Sequence, residues 1–468
     1  MDYFSGVARR IFRFFRAMQQ GNRGTSGMFS SLFWVSLFLI HCGVFIWQCK
    51  HQNLYTLDSP GYLSAAENIN KYGILLAQNI QEPVDPANYT VRPPLYVIFI
   101  AIIKRFTSSH LWIILFQNIL SIFNIFLALK TIAIVFHSAK PYLLMFALIV
   151  LFPSQLIYTN MIMSEILFQT WLICMVFFWV LYVYKGGQKF LVLYTFSLIA
   201  GMLTKPVLFP FTVVNMIFMI ILSVRKRSWS PLLWACSAIA CVVIYSGWNA
   251  RRTGYFHFSS ITTFNSLNTN CYYLLRSSEG PARARKFVDS IFAQSDSIAN
   301  FEKRQRFISQ AAFEQAKKHL PHLMVMSAKG VLNFFIDPGR YDLYALFGKR
   351  NDDSTSIMMA YTKYGYKGIW NALMQQPKFL LLILLLTATA NVIKLGLLLL
   401  FPFNKAVLPP IRIMIMIIIS YIVLITGMLG GARFAMPLFP LVMITTYGGG
   451  GVFLQLLARA RSKMLKSA

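Results

Sequence analysis

Two carboxylates and three cations stand out from an otherwise apolar sequence: Asp58, Arg92, Glu165, Lys205 and Arg433. Each lies near the end of an apolar run, and the runs can be threaded so that all five reach one face of a membrane. Cations gathered there can neutralise a phosphate, and a carboxylate beside them can take a proton from a hydroxyl. That combination suits attack by a hydroxyl on a carbon that bears a phosphate leaving group. Plainer readings stand beside this one. Asp58 could cap the helix that Ser59 begins, and Arg92, Lys205 and Arg433 could each snorkel from a helix end to water. Glu165 resists the plain reading more strongly, because a lone carboxylate in a tight turn between spans is costly unless it meets water, a cation or a partner. The chain carries no Walker or dinucleotide-type glycine loop. Its one glycine run, Gly448–Gly451, sits in an apolar helix without a following Lys-Ser/Thr and reads as close helix packing.

The elements that must position these residues are membrane spans. The 468 residues are 57% hydrophobic and carry a formal charge of +29. The basic residues lie in short turns between apolar runs rather than in one soluble domain, which is a topology signal and argues against nucleic acid as a partner. Five of the six cysteines lie in apolar runs, Cys271 alone lies in a polar stretch, and there is no C-x-x-C, so packing is their expected role. The apolar runs are approximately 28–48, 111–136, 141–159, 163–184, 190–204, 207–224, 231–248, 379–401, 411–429 and 434–457. The segment Pro94–Phe106 is apolar but short, and if it only dips into the outer leaflet the charges sort well. The expected fold class is therefore an all-α polytopic membrane protein of about ten transmembrane helices, with both termini inside and a small, mainly helical external domain. Its parts are a cytoplasmic basic N-terminus (1–27), a transmembrane core (28–248) with an external loop at 49–110, the external domain (249–378), C-terminal spans (379–457) and a cytoplasmic tail (458–468). In this threading every Asp and Glu except Asp2 faces outward. The run near 28–48 reads as an uncleaved anchor. Within the external domain, Phe287, Ile291, Ile298 and Phe301 recur at near-helical intervals over Ala282–Leu320, and His322–Ile336 is amphipathic. The external domain has 18 Lys/Arg against 9 Asp/Glu, which favours an anionic acceptor over a neutral one.

The same residues carry a resemblance. Asp58…Tyr62-Leu63…Ala66, Arg92-Pro93-Pro94-Leu95-Tyr96 and Pro153…Tyr158…Ser164-Glu165 resemble successive motifs of GT-C glycosyltransferases. The branch is that of the bacterial polyprenyl-phosphate-sugar enzymes, akin to dolichyl-phosphate-mannose–protein mannosyltransferases and lipid A aminoarabinose transferase. Gly201…Leu203-Thr204-Lys205-Pro206 resembles the Gly-x-x-x-Thr-Arg/Lys-Pro step of that branch, and Trp248-Asn249-Ala250-Arg251-Arg252-Thr253-Gly254 its entry into the external domain. Leu320-Pro321 resembles its His-Pro element, and Arg433-Phe434…Pro437-Leu438…Pro440 its closing motif. The likeness spans about residues 28–457. It implies a GT-C-like helical bundle and an inverting transferase that moves a sugar from a polyprenyl-phosphate donor to an envelope glycolipid, glycan or protein, outside the cytoplasm of a bacterial inner membrane. By position, Asp58 would be the general base and Glu165 a second acid that positions the acceptor or a divalent cation. Arg92, Lys205 and Arg433 would hold the lipid phosphate, with Arg251 a weaker contributor, and Tyr62, Tyr96 and Tyr158 would line the substrate pocket.

Two departures count against a metal: Ser59 follows Asp58 where many relatives have a second acid, and Val91 precedes Arg92 where the aminoarabinose transferase has a glutamate. His257 is the one histidine in a plausible loop nearby, and a divalent metal is left open. The competing class is a transporter or flippase of a polyprenyl-linked or phosphorylated lipid. It would share the cations and apolar grooves but more usually shows repeats, broken helices and charges near the bilayer midplane.

Overall fold

The computed structural model describes residues 26–51, 53–137, 141–347, 367–368, 370–371 and 377–465. The arginine-rich stretch of the expected N-terminus, the end of the tail and part of the expected external domain lie outside the described residues. Among those described, every regular element is helical. Among the described residues eight helices are long and apolar enough to cross a bilayer, nine if a bent pair counts as one span, and the chain is an integral, multi-pass membrane protein.

The first helix, α1 (Ser26–Lys50), leads into a loop and a half-buried polar helix, α2 (Ser59–Tyr72). The short apolar stretch forms α3 (Pro94–Lys104), whose 11 residues fall well short of the roughly 20 needed to span. A long span, α4 (Leu111–Phe136), follows.

The expected span at 141–159 is broken. It forms α5 (Tyr142–Val150) and α6 (Pro153–Thr159), which meet at a bend of 71°. Pro153 explains the break: it donates no backbone hydrogen bond and disfavours helical geometry at Phe152, yet suits the first turn of a new helix. The central span α7 (Glu165–Lys185) is the most buried of the eight. The next element, α8 (Gln188–Thr204), has 17 residues and falls short of the span length, so two of the ten expected spans are a bent pair and a short helix. The span Pro206–Lys226, a 3-10 turn followed by α9 (Phe211–Lys226), and the span α10 (Ser230–Thr253) complete the first half.

The segment expected to be external contains α11 (Pro281–Asp296) and α12 (Phe301–Lys318). With the π-helical turn Ser266–Cys271 they enclose a small core, with Leu267, Cys271, Val288, Ile291 and Ile308 among its members. The single expected helix divides because Asn300 caps α12, accepting from the Lys303 amide at 2.9 Å, and Ile298 falls in the intervening turn. Amphipathic α13 (Leu320–Ile336) follows, then the short α14 (Arg340–Leu346). The C-terminal spans are α15 (Lys378–Leu400) and α16 (Pro409–Thr426). A single helical turn, α17 (Ala432–Ala435), then precedes α18 (Phe439–Met464).

Spans α4, α7 and α18 lie at the centre, and their interior carries a polar lattice as well as apolar side chains. Gln117 of α4 donates to the carbonyls of Thr159 and Met161 at 2.9 and 2.7 Å and accepts from the Tyr96 hydroxyl at 2.6 Å. Asn118 donates to Asn160, Asn124 donates to Gln169, and Gln169 donates to the Met436 carbonyl. Backbone exposed by the break after α6 would be costly inside a membrane without such partners. The lattice therefore holds the turn between α6 and α7, the turn that ends in Glu165.

Candidate functional site

Asp58 immediately precedes α2, yet its carboxylate makes no capping bond to that helix. It faces two guanidinium groups instead: Arg92 Nη2 donates to Oδ1 at 2.9 Å and Arg433 Nη2 donates to Oδ2 at 2.7 Å. Glu165 is the first residue of α7, and its Oε1 accepts from Lys205 Nζ at 3.0 Å and from Arg433 Nε at 3.1 Å. Arg433 thus bridges both carboxylates, and side chains from five distant stretches of sequence form one cluster.

Local chemistry explains each placement. The loop before Asp58 is tied to the turn before Glu165 by the Ile162 amide, which donates to the Leu54 carbonyl at 2.9 Å. Ser59 adds a bond from its hydroxyl to the Ile162 carbonyl at 2.9 Å. Arg92 is held by Pro93 and Pro94, and its guanidinium lies over the Tyr62 ring at 4.7 Å. Gly61 leaves room for it: a Cβ there would stand 3.1 Å from Arg92 Nε. Pro206 ends α8 and leaves Lys205 extended (φ −143°, ψ 120°), so its ammonium turns inward to Glu165 rather than snorkelling outward. Arg433 rides on α17, whose first amide, that of Ala432, donates to Asp337 Oδ2 at 2.8 Å.

The neighbouring loop is packed backbone to backbone. A Cβ on Gly330 would stand 2.1 Å from the Gly427 carbonyl oxygen, and one on Gly430 would stand 1.8 Å from the Gly330 carbonyl oxygen. Helix α13 and the loop that carries Arg433 can approach this closely only through glycine.

The electrostatics follow from the geometry. Burial by itself would raise the Asp58 carboxyl, but Arg92 and Arg433 outweigh it and hold it at about 2. Three cations against two carboxylates leave one positive charge unbalanced. The side chains of Arg433 and Asp58 are 37% and 30% exposed, so an external ligand can reach the pair, whereas Glu165 is sealed beneath them.

Tyr62 donates to Ser164 Oγ at 3.1 Å and stacks edge-on against Tyr96, whose ring lies fully buried behind it. Tyr158 is buried and donates to Asp342. Arg251 is exposed on α10 and does not join the cluster. Its neighbour Arg252 turns inward, over Trp248 at 3.5 Å and bonded to Asn249. His257 spends both ring nitrogens on structure, one with Thr90 Oγ1 at 2.9 Å and one with the Tyr255 carbonyl at 2.8 Å.

Among the described residues no three His, Cys, Asp or Glu side chains gather as a metal site. Asp58 and Glu165 instead face the three cations Arg92, Lys205 and Arg433. Asp337 and Asp342, which brace the cluster from behind, escaped sequence reasoning. Both lie in a polar segment rich in charge, where an acid carries no contrast.

No protein-family model matches the chain, and no curated protein matches it. Among solved structures, ArnT from Cupriavidus metallidurans bound to undecaprenyl phosphate is similar over 90% of this chain and 77% of its own, at 12% identity and a TM-score of 0.39. The apo state of ArnT from the same organism gives a TM-score of 0.37 at the same identity and coverage. At this level the likeness says nothing of activity, which has to be read from the site itself.

Proposed function

We propose that this chain is a GT-C-like, inverting membrane glycosyltransferase. It would move a sugar from a polyprenyl-phosphate donor to a hydroxyl of an envelope glycolipid, glycan or protein, on the periplasmic or external face of a bacterial inner membrane. The observation that carries the reading is the shared ligation of Asp58 and Glu165 by Arg433, flanked by Arg92 and Lys205. Its single unbalanced positive charge matches the single negative charge of a phosphodiester donor.

In the reaction the acceptor oxygen attacks the anomeric carbon as the bond from that carbon to the phosphate oxygen breaks. The electron pair leaves with the phosphate, whose growing charge Arg92, Lys205 and Arg433 would stabilise. The acceptor proton passes to Asp58. A carboxyl held at about 2 is a poor base, so the resting ion pairs would have to be exchanged. A donor phosphate that takes over Arg92 and Arg433 does this, because the carboxylate loses its two cations and becomes more basic as the reactants assemble. Asp58 is then a stand-in for the phosphate until the donor arrives. A transporter is less favoured, since these charges cluster where helices α7, α8 and α17 begin or end rather than within the long spans.

The test is mass spectrometry of envelope glycolipids and glycoproteins from cells expressing wild type or Asp58→Asn. Loss of one transition-state charge contact costs about 2–4 kcal/mol, so the product should fall on the order of a hundredfold or more at equal expression. Equal product from the two strains would refute the reading.

A further inference from the structure

Behind the cluster lies a carboxylate that the proposed reaction does not use. Asp342 of α14 is 3% exposed and has no cation paired with it among the described residues. Its two oxygens are held by hydroxyls from α6: Ser154 donates to Oδ2 and Tyr158 donates to Oδ1. The segment that delivers it is tightly specified. Asp337 accepts from the Gly339 amide at 3.0 Å, and Gly339 sits at φ +72°, where a Cβ would stand 2.8 Å from Ser154 Oγ. Asn391 of α15 donates to the Asp337 carbonyl at 2.7 Å. Residues 337–342 therefore form a bracket with two carboxylate arms. Asp337 holds the start of α17, which carries Arg433, and Asp342 holds α6, which leads to Glu165.

An uncompensated buried carboxylate is costly, and two hydroxyl donors only partly offset that cost. Replacing it by an apolar residue would remove the cost, so its presence calls for a role that a neutral side chain does not fill. The chemistry of the pair supplies one. A phenol that gives its proton to a carboxylate keeps only acceptor capacity, so Tyr158 presents an oxygen that can receive a hydrogen bond but not donate one. Tyr158 also lies within electrostatic reach of Arg433 and Glu165.

We propose that Asp342 is a positioning residue for the transfer reaction: it fixes Tyr158 as an acceptor-only group beside the Glu165–Arg433 pair and so sets that pair's orientation toward substrate. This inference rests on the glycosyltransferase reading above. The groups around Asp342 are Ser154 and Tyr158 of α6, Asp337 of its own segment and Arg433 of α17. Burial pushes its carboxyl up to about 6; the hydroxyl bonds pull it down, Asp337 adds to the rise and Arg433 opposes it. The bracket is therefore ionised at neutral pH and becomes protonated in mildly acid medium. A protonated carboxyl donates from one oxygen, so one of the two hydroxyls that now donate to it must accept instead.

The experiment mixes purified full-length protein with envelope membranes from cells lacking it, which hold both donor and acceptor. The transfer rate is followed by mass spectrometry from pH 5 to pH 8. Wild type should lose rate as pH falls through about 6. Asp342→Asn should be slower at pH 8 on the order of tenfold, and flat across the acid range. Tyr158→Phe keeps the ring's bulk and should reproduce both effects, and the double variant should be no slower than either single one. Asp58→Asn serves as the dead control. If Asp342→Asn keeps the acid limb, or if the two single effects multiply, the positioning role is wrong while the glycosyltransferase reading survives. If wild type transfers nothing, both fall together.

Discussion

Arg433 is the residue on which the site turns, because its guanidinium reaches Asp58 with one nitrogen and Glu165 with another. A lysine could not span both at these angles. Asp58 and Glu165 were legible in the sequence because each is an isolated acid beside apolar runs, where a charge needs a reason. Asp342 was not legible: nine acids crowd the segment 249–378, and only the fold shows that, among the described residues, Asp342 is buried without a paired cation. The inward turn of Arg252 in place of Arg251 was equally hidden, since adjacent arginines differ only in which face of α10 they occupy. The paired state of Asp58 carries a pH signature. Its folded carboxyl titrates at about 2, below the ordinary value near 4, so the unfolded chain binds the proton more readily. The stability contributed by this group is complete above the ordinary value and fades as pH falls from there toward about 2. Thermal unfolding in detergent should show wild type losing its margin over Asp58→Asn as the medium is taken from pH 6 to pH 3. Parallel curves would contradict the pairing.

At the level of elements, the turn between α6 and α7 decides where Glu165 points. From the sequence, 141–159 reads as one span, since its apolar length suffices and Pro153 alone marks the break. What the sequence does not display is how the broken backbone is satisfied. Gln117, one buried amide on α4, serves the carbonyls of Thr159 and Met161 and the Tyr96 hydroxyl together. Replacing Gln117 with Leu leaves these groups without their partner, at about 1–3 kcal/mol for each group left unpaired. The variant should unfold at a lower temperature in detergent and lose transfer as Glu165 shifts. An unchanged unfolding temperature would show that the lattice is not what holds the turn. The glycine contact between α13 and the Arg433 loop belongs to the same scale. It was invisible from sequence because Gly330 and Gly430 lie a hundred residues apart, and only their pairing gives either a purpose.

Across the whole molecule, hydrophobic run length and charge distribution made the all-helical, multi-pass architecture readable. Run length alone could not tell a straight helix from the bent pair Tyr142–Val150 and Pro153–Thr159. The molecule gathers its conspicuous charges at one end of a helical bundle, and there the resting carboxylates occupy the cations that a donor phosphate would need. The direct test is binding of a polyprenyl monophosphate to the purified protein in lipid nanodiscs, followed for wild type, Asp58→Asn, Arg92→Gln and Arg433→Gln. Binding should weaken for each arginine variant, by roughly tenfold or more for a lost charge-assisted bond, and tighten relative to wild type for Asp58→Asn, which frees Arg92 and the Arg433 Nη2. Arginine variants that bind as wild type does, or an Asp58→Asn variant that binds more weakly, would contradict this prediction.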